Sequence, residues 1–165
     1  DWKKFFDERI HSHGPGAPLG GLANSGWKLT FSEAMNDHQR ADEDSEHSVD
    51  VSFSLGFSVH APGSDDSNAV IDVIPGSPAA NAGIAPGMHL VAVNGRRWAP
   101  DILRGAIRAA KNSKEPMELL LENDDYYRAY SVDYHGGERY PHLTATSGTD
   151  VLSEIARRHA AAVEK

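Results

Sequence analysis

Ile74-Pro75-Gly76-Ser77-Pro78-Ala79-Ala80-Asn81-Ala82-Gly83-Ile84 holds a strand end, a helix cap and a helix stop in one short run. Pro75 and Gly76 end the β-branched stretch Ala69-Val70-Ile71-Asp72-Val73-Ile74, which reads as a strand. Ser77 offers a capping hydroxyl, and Pro78 has the fixed φ that suits the first helical position. Ala79, Ala80 and Ala82 carry a short helix that Gly83 stops. Downstream, Pro86-Gly87 turns the chain, Met88–Val93 is a strand, and Asn94-Gly95 is a strong hairpin signal. Pro100-Asp101 opens a longer helix with Ile102, Leu103, Ala106, Ile107, Ala109 and Ala110 as its apolar positions. Met117–Leu121 and the alternating Tyr126–Tyr134 follow as strands.

Upstream, Trp27-Lys28-Leu29-Thr30-Phe31 alternates as a half-buried strand does, and Val51–Val59 is a second strand region. Between them, residues 36–50 carry Asp37, Asp42, Glu43, Asp44, Glu46 and Asp50 with almost no large apolar group. This composition reads as a solvated acidic loop. A calcium site is the sharper reading, but the EF-hand spacing with its central glycine is absent. At the start, Trp2, Phe5, Phe6 and Ile10 recur at helical spacing, a docking helix that the turn residues of His13–Gly21 end in a linker. At the other end, Asp150–Val163 reads as a helix with Val151, Leu152, Ile155 and Ala156 on one side and Thr149 or Asp150 as cap. The expected architecture is α+β or mostly β: a small antiparallel sheet capped by two helices.

The chain of 165 residues is about one domain's worth. Its 16 Lys plus Arg against 24 Asp plus Glu give a net charge of -8, which disfavours nucleic acid and anionic membranes as partners. With 0 Cys there is no disulfide, thiolate metal site or cysteine nucleophile, and the compartment stays open. No apolar run is long enough to span a bilayer. The chain begins Asp1-Trp2-Lys3-Lys4, without Met or a signal-peptide pattern, and reads as a piece of something longer.

Catalytic machinery is not visible. The 9 His include no His-Glu-x-x-His pair. His11 and His13 sit beside Gly and Pro as surface residues, and His135 and His142 flank a tight turn. There is no Gly-x-Ser-x-Gly elbow and no phosphate-cradling glycine loop. General acid–base chemistry needs a dry, held geometry that an acidic loop does not supply.

Ser54-Leu55-Gly56-Phe57-Ser58-Val59 places a glycine and an aromatic where a loop enters a strand. The successive N–H groups of Leu55, Gly56 and Phe57 then point into one space, a nest for a carboxylate, with Leu55, Phe57 and Val59 lining an apolar pocket beside it. A side chain at position 56 would restrict the backbone and crowd the anion. Taken alone, the stretch also reads as an ordinary strand with a bulge glycine.

In order, the Leu-Gly-Phe loop, the Gly-Ser-Pro-Ala helix, the Pro86-Gly87 turn, the Val93-Asn94-Gly95 hairpin and the helix from Pro100 resemble a PDZ domain over roughly residues 50–133. The resemblance implies a five- to six-stranded antiparallel, partly open barrel capped by two helices, with helical extensions at both termini. It implies residues 1–26 as docking helix and linker, 27–134 as the PDZ-like domain with the acidic insert 36–50, and 135–165 as a C-terminal extension. It also implies a peptide C-terminus or extended segment as partner, added as a strand along Phe57–His60. The groove-lining residues would be Ser54, Leu55, Gly56, Phe57, Ser58 and Val59 with Ile102, Ala106 and Ala109, leaving Leu103, Ile107 and Ala110 inward. Ile102 at the helix start implies a hydrophobic residue two before the ligand's end. Two features depart from the family: Ser54 replaces the usual first glycine, and the acidic insert stands where many members have a basic residue, a place Arg40 would have to serve.

The flanks Asp1-Trp2…Phe5-Phe6-Asp7, Ser25-Gly26-Trp27-Lys28-Leu29 and Asp133-Tyr134-His135-Gly136-Gly137-Glu138-Arg139-Tyr140-Pro141-His142-Leu143 resemble the C-terminal part of glycyl aminopeptidase-type zinc metallopeptidases. That resemblance implies zinc and its catalytic Glu in an upstream thermolysin-like domain, which would itself be a partner of this chain. No cofactor is implied within the chain, and a bacterial periplasm and cytoplasm both remain open. Three functions compete on this reading: a peptide-binding module, a structural module packed on its own catalytic domain, and an enzyme fragment, the last lacking any nucleophile or metal set.

Overall fold

The computed structural model describes residues 1–7, 10, 20–64, 66–146, 148–155 and 157. The expected turn-rich run from His13 falls mostly outside these residues, as do His11, His13 and the last part of the C-terminal helix. The chain divides into two compact units, Asp1–Thr30 with His142–Lys165, and Phe31–Pro141.

In the first unit, α1 (Trp2–Phe6) is capped by Asp1, whose carboxylate accepts the Lys3 N–H at 3.0 Å. α2 (Gly20–Asn24) corrects the expected linker: Gly20 and Gly21 open a short helix, which Ser25 closes by donating its N–H to Leu22 O. β1 (Trp27–Ser32) pairs with β9 (Tyr140–Ala145) in a two-stranded sheet, where Thr30 Oγ1 and Thr144 Oγ1 share a 2.8 Å hydrogen bond. Residues 151–155 are helical, and Asp150 accepts the Trp27 indole N–H at 2.7 Å.

The second unit holds the core. Its elements are α3 (Asp37–Glu46), β2 (Ser48–Asp50), β3 (Phe57–His60), β4 (Val70–Val73), α4 (Pro78–Ala82), β5 (His89–Val93), β6 (Arg96–Arg97), α5 (Pro100–Ala110), β7 (Met117–Asn123) and β8 (Tyr126–Val132). One sheet runs β2-β3-β4 and the other β6-β5-β7-β8, with antiparallel neighbours throughout. Neither closes, and the class is α+β. Asn94 and Gly95 both take positive φ (48° and 73°), the conformation the two-residue β5–β6 hairpin requires. Ser77 Oγ accepts the Ala80 N–H at 3.2 Å and Gly83 ends α4 at φ 93°, as the side-chain chemistry of that stretch predicts.

α5 buries Leu103, Ile107 and Ala110 in a cluster with Val49, Val51, Leu55, Phe57, Val59, Leu119 and Leu121. Each fully buried branched side chain contributes about 1.5–3 kcal/mol.

The acidic segment is not a loop. Asn36 and Gln39 form a capping box: Asn36 Oδ1 accepts the Gln39 N–H at 2.8 Å, and Gln39 Oε1 accepts the Asn36 N–H. Arg40 pairs with Asp37 and His38 with Asp42 along the helix, and His47 stops it in the left-handed region at φ 49°. These local interactions outweigh the low hydrophobicity that suggested a solvated loop.

Candidate functional site

The loop between β2 and β3 is built around one oxygen. The carbonyl of Val51 accepts N–H groups from Ser54 (3.0 Å), Leu55 (2.8 Å) and Gly56 (3.0 Å), so three successive amides converge on a single acceptor. The sequence points to the amides of Leu55, Gly56 and Phe57; the convergent set is Ser54, Leu55 and Gly56, and its acceptor is a carbonyl of the chain itself. The Phe57 amide is not one of these three donors.

Neighbouring elements fix the loop from behind. The Ala79 N–H, in the first turn of α4, donates to Leu55 O at 2.9 Å, and Ile74 N–H donates to Gly56 O at 2.8 Å. Gly56 stands at φ 90°, and the surface a side chain would meet there is Ser77 rather than an anion. Ser54 is buried, its Oγ accepting the Arg139 N–H at 3.0 Å.

The nest and the adjoining strand edge are already filled by the chain. β2 pairs with β3 in the register Ser48↔His60, Val49↔Val59, Asp50↔Ser58, while β4 takes the other edge of β3. Val51 N–H donates to Phe57 O at 3.0 Å, and Ala61 N–H to His47 O at 2.7 Å. Both edges of β3 are thus paired. This corrects the expectation of an open edge along Phe57–His60: a short antiparallel hairpin closes it at the smallest loop-closure cost. Val49 and Val51 are buried. Leu55, Phe57 and Val59 likewise belong to the core rather than to an open pocket, and Ser58 is half-buried.

On its outer side β2 meets α3. Glu43 Oε1 accepts the Asp50 N–H at 2.8 Å. Both Glu43 oxygens also accept from one Arg104 nitrogen on α5, at 2.7 and 2.6 Å. Arg104 further donates to the Tyr140 hydroxyl and to Glu138, and Arg108 donates to Glu138 at 2.7 Å. Burial lowers the Arg104 pKa, but Glu43, Tyr140 and Glu138 together more than offset this and hold it above its ordinary value. Burial, and then the hydrogen bond to Glu138, push the Tyr140 phenol up strongly. Arg40 does not reach the nest: it lies on α3, exposed, beside Asp37.

Ile102, Ala106 and Ala109 point elsewhere. With Val93, Asn94, Arg96, Asp101 and Gly105 they line an open concavity against the β5–β6 hairpin, and none of residues 54–59 lines it. It is Arg104 that reaches the segment lying along β3. Sequence reasoning missed Glu43, Arg104, Glu138 and Tyr140, whose partners lie far apart in the chain. It also missed Val49 and Val51, for which the alternation Val49-Asp50-Val51 before the loop is the available signal. Among the described residues, no group of three or more His, Asp or Glu is placed to hold a metal ion, and no helix is long and apolar enough to cross a membrane.

Residues 47–122 match the family model described as PDZ domain. No curated protein matches the chain. Among solved structures it is similar to the HtrA3 PDZ domain bound to a phage-derived ligand (FGRWV), with 17% sequence identity, a TM-score of 0.32, and coverage of 74% of this chain and 95% of that one.

Proposed function

We propose that residues 47–122, which match the PDZ domain family model, are a non-catalytic recognition module taking a peptide C-terminus or an extended segment by strand addition. One observation carries this reading. Three amides, of Ser54, Leu55 and Gly56, converge on a single oxygen at the end of an antiparallel strand laid along Phe57–His60. A peptide in the place of Ser48–Val51 would make the same main-chain bonds, each worth ~1 kcal/mol net. Its terminal carboxylate would take the position of the Val51 carbonyl. The positions of Val49 and Val51 then ask for apolar side chains at the ligand's end and two residues before it.

The wider setting follows from the flanks. Asp1–Asp7 and Asp133–Leu143 support a place for this module beside the catalytic domain of a zinc metallopeptidase. Zinc and the general base would belong to that domain, which would be the module's partner. The residues preceding Asp1 test this: a His-Glu-x-x-His motif with a downstream Glu is the expected finding, and its absence removes the metallopeptidase.

A second reading is favoured by the same occupied nest: a structural domain whose groove is permanently filled in cis. Titrating peptides ending in Val-Asp-Val, with free and with amidated C-termini, separates the two. Binding of the free form that is lost on amidation supports recognition through the nest. Binding of neither form supports the structural role.

A further inference from the structure

We propose that residues 36–51, α3 together with β2, form a latched occupant of the β3 edge, held by the Glu43–Arg104 ion pair, and that breaking this pair releases the segment from edge and nest as a unit. The proposal rests on reading that edge as a peptide site and adds how access to it is controlled.

α3 is an unusual cover. It has ten residues, Asp37–Glu46, and none of them is buried. Burial of an apolar stripe is what ordinarily fixes a helix to its domain, and here that term is missing. Its ties to the rest of the unit are polar: Asn36 Nδ2 donates to Pro141 O at 3.3 Å, and Glu43 binds Arg104.

Glu43 joins three elements. It lies on α3, accepts the outward amide of Asp50 on β2, and takes Arg104 from α5. Removing this one carboxylate unties both the cover and the strand beneath it. Asp42, Glu46 and Asp50 line the same concavity as Glu43, with Arg139 as the one cation among its lining residues, so acidic groups outnumber basic ones there.

Arg104 is equipped for both states. When Glu43 leaves, the guanidinium retains Glu138 and the Tyr140 hydroxyl, so opening strands no charge on α5. The loop is equipped too, because Leu55 O and Gly56 O stay bonded to Ala79 and Ile74 after β2 departs. Opening loses the β2–β3 main-chain bonds, the three amide bonds to Val51 O and the burial of Val49 and Val51, and a strand-adding ligand with a terminal carboxylate and apolar side chains at those two positions restores them.

The test is amide hydrogen exchange on the intact 165-residue chain, comparing wild type with Glu43→Gln. The reporters are the amides of Val51, Ser54, Leu55, Gly56 and Ala61, all bonded within or to the covering segment. The controls are Asn94 and Trp98, bonded to Glu118 O and Val91 O. The expected result is about tenfold faster exchange at the reporters with the controls unchanged, the signature of a local opening. Asn36→Ala, which removes the α3 cap without touching Arg104, is expected to give the same pattern. Unchanged reporters, or reporters and controls accelerating together, overturn the latch. A free-carboxylate peptide with the sequence of residues 44–51 is then added to Glu43→Gln. Binding supports the peptide reading as well; local opening without binding overturns that reading and leaves the latch standing.

Discussion

A Cβ built on Gly56 would lie 2.0 Å from Ser77 Cβ and 2.3 Å from Ser77 Oγ, closer than any real side chain approaches. The amide loop and the cap of α4 are therefore in direct contact, and the loop's shape depends on position 56 having no side chain. Gly56→Ala meets both this overlap and the positive φ of 90°, which costs about 1–3 kcal/mol by itself. The expected outcome is a fall in Tm of roughly 5–10 °C, read by calorimetry. A Tm within a degree of wild type would show that the loop moves freely away from α4.

The two sides of α5 should respond differently to substitution. Leu103→Ala opens a cavity in the core and is expected to cost about 2–5 kcal/mol. Ala109→Ser, on the exposed side, is expected to stay within about 0.5 kcal/mol. Urea unfolding of both variants gives the comparison, and equal effects would mean the helix is rotated from the orientation described.

Arg104→Met removes the cation shared by Glu43, Glu138 and Tyr140. Glu138 is 6% exposed and, among the described residues, keeps only Arg108 as a cationic partner. The expected loss is about 3–5 kcal/mol, much of it the penalty of a buried carboxylate with too little compensation. Adding Glu138→Leu should recover part of that loss, and a double-mutant cycle measures the coupling. Strict additivity would show that the two residues do not interact.

His135 gives a pH dependence with a definite sign. Its Nδ1 faces the Ala110 carbonyl and its Nε2 faces Asp133, both at 2.9 Å. The bond to the Ala110 carbonyl, opposed by desolvation and reinforced by Asp133, raises the imidazole pKa above its ordinary value. A raised folded-state pKa favours the fold below the unfolded value of about 6.5, and the contribution disappears as pH rises through the folded midpoint. An NMR titration should therefore place His135 above that value. Asp133→Asn should lower the midpoint without abolishing the shift, since the carbonyl remains. A wild-type midpoint at or below the ordinary value would break the argument.

Elements set by neighbouring residues are legible in the sequence itself. The Ser77–Gly83 helix and the Asn94-Gly95 hairpin each follow from chemistry within a few positions, while the inward set Leu103, Ile107 and Ala110 of α5 is what the PDZ resemblance implies. α3 was hidden by its composition: acidic residues suggested solvation, while the signal that forms the helix was the Asn36…Gln39 box. Val51–Val59 read as one strand because its alternation is continuous, whereas the Val51 carbonyl gathers three amides and folds the run into a hairpin. The Leu55-Gly56 nest was visible, but its occupant was not. The PDZ resemblance points Ile102, Ala106 and Ala109 to the groove, and nothing local to α5 reveals Glu43, 61 positions earlier, as the partner of Arg104.

The pairing of β2 with β3 also bears on how copies of this chain meet one another. An unpaired row of main-chain donors and acceptors is a template on which sheets grow from molecule to molecule. Along Phe57–His60 that template is satisfied from within, so crowding finds no ragged strand there to extend.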